Sequence, residues 1–267
     1  MNRFEKKFRD LRARKEGAFI PFVVLGDPNF DCSLKIIKAL IDSGADALEL
    51  GFAFSDPIAD GKTIQEADQR ALKAGMDTDK ALELIADVRA YNQKIPISLL
   101  IYYNLILQRG IEQFYKDAKE AGVDAILAAD CPVEEAAPLL KAAKKNGISQ
   151  VFIVAPTTTK QRLKEILKNA SGYLYLVSLL GVTGARASLQ KRTLELIKRV
   201  RSNTTLPLCV GFGISKPEHV KEVIEAGADG CIVGSAIVSL IKENLNDEEQ
   251  MLQKIREFAF ELKNAAK

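Results

Sequence analysis

A short signal recurs along the chain and sets its architecture. Ser43-Gly44-Ala45-Asp46, Ala121-Gly122-Val123-Asp124 and Ala226-Gly227-Ala228-Asp229 are nearly identical, and each ends a helix-periodic stretch and opens an apolar run of strand length. A glycine there can take the left-handed conformation that stops a helix and turns the chain into the next strand. Gly17, Gly147 and Gly172 precede further apolar runs, and Pro96 and Pro207 introduce two more, giving eight strand starts. The strands read as 18–25, 46–52, 97–103, 124–129, 150–154, 173–178, 207–211 and 229–233. Amphipathic helices fall between them, among them 33–43, 79–92, 134–146 and 216–226. A last helix over 247–265 lines up Leu252, Ile255, Phe258 and Leu262. Strict strand–helix alternation implies a parallel sheet with right-handed crossovers. Eight units in 267 residues favour a closed (β/α)8 TIM barrel over an open doubly wound sheet. With no linker or low-complexity segment, residues 1–267 read as a single domain. Phe4, Phe8 and Leu11 have helical spacing and predict an extra N-terminal helix packed on the barrel.

Several classes of function are disfavoured. The formal charge is only +3 and is spread along helical stretches, so nothing favours nucleic acid or a membrane surface. No run of about 20 apolar residues exists to span a bilayer. The opening stretch MNRFEKKFRDLRARKEG lacks the apolar core of a signal peptide and carries acidic residues, so the expected location is the cytoplasm. Cys32, Cys131, Cys209 and Cys231 show no metal-type spacing and read as buried reduced thiols. The single histidine, His219, falls in the first turn of a predicted helix and reads as a surface or capping residue. With so few ligand residues no metal site is expected.

The most informative stretch is LELGFAFSDPIADGKTIQ, residues 48–65. Strand side chains alternate faces, so Leu48 and Leu50 share one face while Ala47, Glu49 and Gly51 share the other. If helices cover the sheet, Glu49 points into protein, where a carboxyl without a partner shifts its pKa. Eleven residues on, after Ser55-Asp56-Pro57, comes Asp60. Two carboxyls, one on a strand and one on the following loop, can serve as acid and base on one substrate. Strand starts are mostly about 25 residues apart, but the gaps after the second and sixth strands are longer, so loops two and six are expected to be extended and to cover the site.

Glycines cluster after strands six, seven and eight: Gly181-Val182-Thr183-Gly184, Gly211-Phe212-Gly213 and Gly234-Ser235. Backbone amides approach an anion closely where no side chain intervenes, and Ser235 is a plausible N-cap of the next helix. Loops after strands seven and eight are the recurrent phosphate site of such barrels. Phe22, Leu100, Tyr102, Leu127, Ala129, Ile153, Phe212 and Ile232 fall near strand ends and could line a pocket for a flat ring. Tyr175, in strand six with Tyr173, adds a hydroxyl that needs a partner if buried.

These motifs resemble the alpha subunit family of tryptophan synthase. The matching stretches are PFVVLGDP (21–28), LELGFAFSDPIADGKTIQ (48–65), YYN (102–104), ADCPVEEAAP (129–138), GVTGA (181–185), GFGIS (211–215) and GSAIV (234–238), in the family's order and over nearly the whole chain. The resemblance implies a lyase that cleaves indole-3-glycerol phosphate to indole and glyceraldehyde 3-phosphate. It implies an assembly of two such chains with two beta subunits, pyridoxal phosphate belonging to the beta subunit and no cofactor to this chain. It assigns Glu49 the acid/base role at the indole C3 and the glycerol hydroxyl, and gives Asp60 the charge at the ring nitrogen. Tyr175 packs and orients beside them. Gly184, Gly213, Gly234 and Ser235 hold the phosphate, Thr183 belongs to the substrate pocket, and Asp56, Pro57, Asp130 and Pro132 fall in interface or loop positions. Ala53 and Lys62 stand where the family usually has proline, Val24 replaces a common threonine and Leu179 a common arginine, all bearing on loop closure and coupling.

The residues fit that chemistry in their own right. Carbon–carbon cleavage of the retro-aldol kind needs an electron sink, and an indole becomes its own once C3 is protonated and N1 carries positive charge. Two carboxyls then suffice, each contributing about 10²–10⁴-fold. The alternatives are another phosphate-binding barrel, such as indole-glycerol-phosphate synthase or a sugar-phosphate epimerase, or an alpha-like barrel retained mainly to activate its beta partner.

Overall fold

The computed structural model describes residues 2–177, 191–211 and 213–267. Its strands are β1 Ala18–Val24, β2 Leu48–Gly51, β3 Ile97–Ile101, β4 Ala125–Ala128, β5 Ser149–Gln150, β6 Phe152–Val154, β7 Leu174–Val177, β8 Leu208–Gly211 and β9 Gly230–Val233. They form one sheet in the order β5-β4-β3-β2-β1-β9-β8-β7-β6, and every pairing is parallel. The two edges, β5 and β6, are halves of the fifth strand of the sequence reading, divided at Val151, whose N–H donates to the Ile126 carbonyl (2.9 Å). β5 pairs with β4 and β6 with β7, so the barrel closes around this break. The sixth, seventh and eighth strands expected from sequence are therefore β7, β8 and β9.

The helices are α1 Arg3–Arg14, α2 Phe30–Asp42, α3 Lys62–Lys73, α4 Thr78–Tyr91, α5 Tyr103–Arg109, α6 Ile111–Ala121, α7 Ala137–Asn146, α8 Lys160–Asn169, α9 Lys191–Arg201, α10 Pro217–Glu225, α11 Ser235–Glu243 and α12 Glu248–Ala265. Their starts follow local chemistry. Asn29, Asp77, Thr159 and Asp247 each accept a backbone N–H of the first turn that follows, a cap contributing about 1 kcal/mol.

The recurring glycine–aspartate signal has a double function. Gly44, Gly122 and Gly227 have φ of 98°, 98° and 102°, as a helix stop requires. The aspartate two residues later then clasps the start of the preceding strand. Asp46 donates its N–H to the Phe19 carbonyl and accepts the Phe19 N–H on Oδ2. Asp124 does the same with Ile97, and Asp229 with Leu208. α1 lies across this end and sends one cation to each acid: Arg3 to Asp124 (2.8 Å), Lys7 to Asp46 (3.5 Å) and Arg12 to Asp229 (2.8 Å). Lys263, Arg89 and Arg201 supply a second cation to Asp46, Asp124 and Asp229 respectively.

The apolar face of α1 seals the base. Phe4, Phe8 and Leu11 are buried, each contributing about 1.5–3 kcal/mol. The Phe4 ring lies 5.2 Å from that of Tyr173, which enters the barrel just before β7. β2 is buried on both faces, so Leu48 and Leu50 pack on one side and Glu49 faces the other.

Candidate active site

Glu49 stands in β2 opposite Phe22 of β1 and Ser98 of β3. It has no exposed surface. The Tyr173 hydroxyl donates to its Oε1 at 3.1 Å and lies 2.8 Å from Ser98 Oγ. Its Oε2 is buried without a hydrogen-bond partner among the described residues. Burial pushes the carboxyl up to about 8; the Tyr173 hydrogen bond opposes this and the charge of Asp60 reinforces it. The group is thus mostly protonated near neutral pH and can give a proton before it takes one.

Asp60 is carried by the segment between β2 and α3. The Tyr102 hydroxyl donates to its Oδ2 at 2.7 Å and accepts the Ala59 N–H at 2.9 Å. Tyr102 follows β3 directly, and its ring stacks on Phe54 at 5.0 Å. Gln65 in α3 donates to the Asp60 carbonyl (2.8 Å). The loop is therefore pinned to the barrel through one phenol. Burial raises the Asp60 carboxyl and the Tyr102 bond lowers it. A third acid, Asp68, is buried on α3, where burial and then the charge of Asp60 push it up to about 8.

A cavity of about 400 Å³ opens above these acids, within the range of small-ligand pockets. Phe22, Leu100, Ile232 and Tyr175 line it with Glu49 and Asp60. Close packing of the rings depends on glycines. A Cβ at Gly211 would come within 2.1 Å of the Tyr175 hydroxyl, and one at Gly234 within 2.9 Å of the Phe22 ring. Burial holds the Tyr175 phenol well above its ordinary value.

Gly213, Gly234 and Ser235 border the same cavity, with Ser215, Ala236 and Ser239. Gly213 has φ of 78°, a conformation that side chains disfavour. Ser235 differs from its expected role. The N-cap of α11 is Gly234, Ser235 is the first helical residue, and α11 has no side-chain cap. With glycine at the cap, the first amides of α11 lack intrahelical acceptors and face a cavity that an anion can fill.

Other expected residues fall elsewhere. Leu127 is buried, while Ala129 and Ile153 are half-buried, and none lines the cavity. They belong to β4 and β6 or just follow them, whereas the strand residues that line the cavity come from β1, β2, β3, β7 and β9. Tyr102 meets it only through Asp60. Asp56 is exposed and accepts the Ser55 hydroxyl; Asp130 accepts the Tyr103 N–H at 2.7 Å at the start of α5. Pro57 and Pro132 are half-buried, and Ile58 beside Pro57 is 86% exposed. Val24 is buried, Ala53 half-buried and Lys62 exposed at the start of α3. Leu179, Thr183, Gly184 and Phe212 lie outside the described residues. All four cysteines are buried free thiols.

Of the two expectations for His219, surface or capping residue, the structure bears out the second and not the first. His219 is buried and lines the cavity, and its Nδ1 caps the Ser215 amide (3.3 Å). Sequence reasoning also passed over Tyr173 as a partner of Glu49, together with Ser98, Asp68, Thr63 and Ile64. Ser98 carried the same signal as Glu49, a lone polar residue in an apolar strand. Asp68 lies four residues after Ile64 on the apolar side of α3, which was the signal for its burial. Among the described residues no group of three or more His, Cys, Asp or Glu could hold a metal, and no helix is long and apolar enough to cross a membrane.

Comparison with known proteins agrees with this geometry. The family profile described as tryptophan synthase alpha chain matches residues 8–267. The tryptophan synthase alpha chain of Methanothermobacter thermautotrophicus is 57% identical over 97% of this chain and 96% of its own length. That of Methanoregula boonei is 51% identical over 100% and 99%. The crystal structure of the Legionella pneumophila alpha subunit superposes with a TM-score of 0.92 at 33% identity, covering 100% of this chain and 98% of that one. A chain of the Pyrococcus furiosus tryptophan synthase complex gives 0.85 at 40% identity, covering 92% and 98%. With motifs, barrel and full-length similarity in agreement, the chain belongs to the tryptophan synthase alpha chain family.

Proposed function

We propose that this chain is the lyase that cleaves indole-3-glycerol phosphate to indole and glyceraldehyde 3-phosphate, working in a complex with a beta subunit. The observation that carries the reading is the unpartnered Oε2 of Glu49, buried in a cavity whose other border is formed by Gly213, Gly234 and Ser235. A phosphate held by the glycine turns leaves the ring to extend toward β2.

The steps balance with two acids. Protonated Glu49 gives its proton to indole C3; the C2–C3 π electrons form the new C–H bond, and N1 becomes the cationic end of an iminium. Asp60, ionised beside N1, offsets that charge. The Glu49 carboxylate then takes the proton of the glycerol hydroxyl on the carbon attached to C3. The C–C bond breaks, a carbonyl forms, and the bonding pair returns to the ring and restores the aromatic indole. Glu49 ends protonated, as it began. Its upward shift to about 8 suits a group that acts as acid first. Tyr173 fixes Oε1 so that Oε2 is the atom presented to substrate. Tyr175 limits the ring's position, and Tyr102 sets that of Asp60. No step calls on a cofactor bound to this chain; pyridoxal phosphate is assigned to the beta partner.

We infer a docking face for the beta subunit at the barrel mouth, where Asp56, Pro57 and the exposed Ile58 lie in the loop that contacts Tyr102, and Asp130 and Pro132 follow β4 beside the start of α5. We infer an assembly of two alpha with two beta chains, as the resemblance to the family implies. The reaction is tested by assaying the purified chain with and without a beta subunit. Cleavage that rises in the complex is the expected result; no cleavage in either sinks the reading.

A further inference from the structure

The cavity borders two residues that each hold a buried polar atom without a hydrogen-bond partner among the described residues, Glu49 with Oε2 and His219 with Nε2. The proposed chemistry uses the first and leaves the second unexplained. His219 is only 4% exposed and belongs to the first turn of α10. Its Nδ1 accepts the Ser215 N–H at 3.3 Å. A ring nitrogen that accepts carries no hydrogen, so the neutral imidazole keeps its hydrogen on Nε2. A buried N–H without an acceptor is costly, and each such group in a native fold calls for an explanation. The chain around it supplies donors. Gly213, Ser215 and Ser235 bring amides or hydroxyls to the same cavity, and Ser239 adds another hydroxyl one turn into α11. No lysine or arginine lines the cavity among the described residues, so His219 is the one nitrogen-bearing side chain in that lining. What this end lacks is an acceptor, and a phosphate monoester brings several.

Building on the phosphate subsite proposed above, we infer that His219 is a substrate-binding residue whose Nε2–H donates to a phosphate oxygen, adding a side-chain contact to a subsite otherwise made of amides and hydroxyls.

His219 is the only histidine in the chain, so the ¹⁵N-labelled protein gives one set of imidazole resonances. Inorganic phosphate is titrated in while these signals and the Gly213 and Ser235 amides are followed. The imidazole Nε2–H is expected to shift along the same saturation curve as the amides. His219→Leu should weaken phosphate binding and raise KM roughly tenfold, with kcat at saturation nearly unchanged, while His219→Gln, which keeps a donor, should lose about threefold or less. Amides that saturate beside an unmoved imidazole would overturn the inference and leave His219 a cap of Ser215. Silence from amides and imidazole alike would remove the phosphate subsite with it. A failed lyase assay with an imidazole that still follows phosphate would remove the reaction and keep the contact.

Discussion

At the base of the barrel Asp46, Asp124 and Asp229 each clasp a strand N–H and each face two cations. At the opposite mouth Glu49 and Asp68 are as deeply buried and Asp60 half-buried, yet among the described residues none of them forms an ion pair; their partners are phenols or amides. The same functional group is thus treated in two ways. Paired acids at the base fix strand register and tie α1 across the barrel. Burial at the mouth disfavours the charged form of the acids there, which costs stability and at Glu49 provides a proton donor. The two ends of this fold divide stability and chemistry accordingly.

The sharpest way to break the contrast is Glu49→Gln. Cleavage should fall by about 10⁴-fold, since acid and base roles are lost together, while phosphate binding and the fold persist. Retained turnover would move the acid/base role elsewhere. Next in size is Asp124→Ala at the base, which strips Arg3, Arg89 and the Ile97 N–H of their shared partner. Urea unfolding should show a loss of about 3–5 kcal/mol, with kcat of the folded fraction unchanged; a selective loss of kcat would erase the division between the ends.

The pH dependence sharpens it further. Glu49 has its folded pKa raised from 4.5 to about 8, so the folded chain holds a proton that the unfolded chain has released above the ordinary carboxylate range. Stability contributed by this group therefore falls as pH rises from about 4.5 to about 8 and then levels. Asp68 acts in the same direction. Activity follows the same proton: kcat/KM should drop about tenfold per unit above pH 8, and Glu49→Gln should flatten the corresponding part of the stability curve. A rate that climbs through pH 8 would rule out acid-first chemistry.

Gly213→Val places a β-branched side chain at φ of 78°; phosphate affinity should weaken roughly tenfold, and unchanged affinity by calorimetry would count against the subsite. The mildest test is Tyr102→Phe, which removes the one side-chain donor to the Asp60 carboxylate among the described residues. A loss of about 1 kcal/mol in transition-state stabilisation, some fivefold in kcat/KM, is expected, and no change would mean that the loop is held by Gln65 and the Phe54 stack alone.

Local signals carried the architecture. Helix stops at Gly44, Gly122 and Gly227, proline starts at Pro96 and Pro207, and alternation around Glu49 all act within a few residues, so eight strand units, the barrel and the inward Glu49 were legible in the chain itself. The division of the fifth strand at Val151 was not, because it depends on how β4 and β7 meet across the closing sheet. Nor was the use of the three aspartates, although their spacing was plain: each needs the strand before its own, and α1 from far along the chain.

The site divides the same way. Residue type and spacing singled out Glu49, Asp60 and the glycine turns. Tertiary structure alone decided that Tyr173, 124 positions away, would hold Oε1, that Tyr102 would serve Asp60 rather than the pocket wall, and that His219 would be buried at the cavity with a free N–H. Sequence by itself fixes which backbone turns and faces are possible, because those follow from steric and hydrogen-bond rules between near neighbours. The protonation and pairing of a buried group depend on what distant strands bring within about 3 Å, and only closure of the barrel settles that.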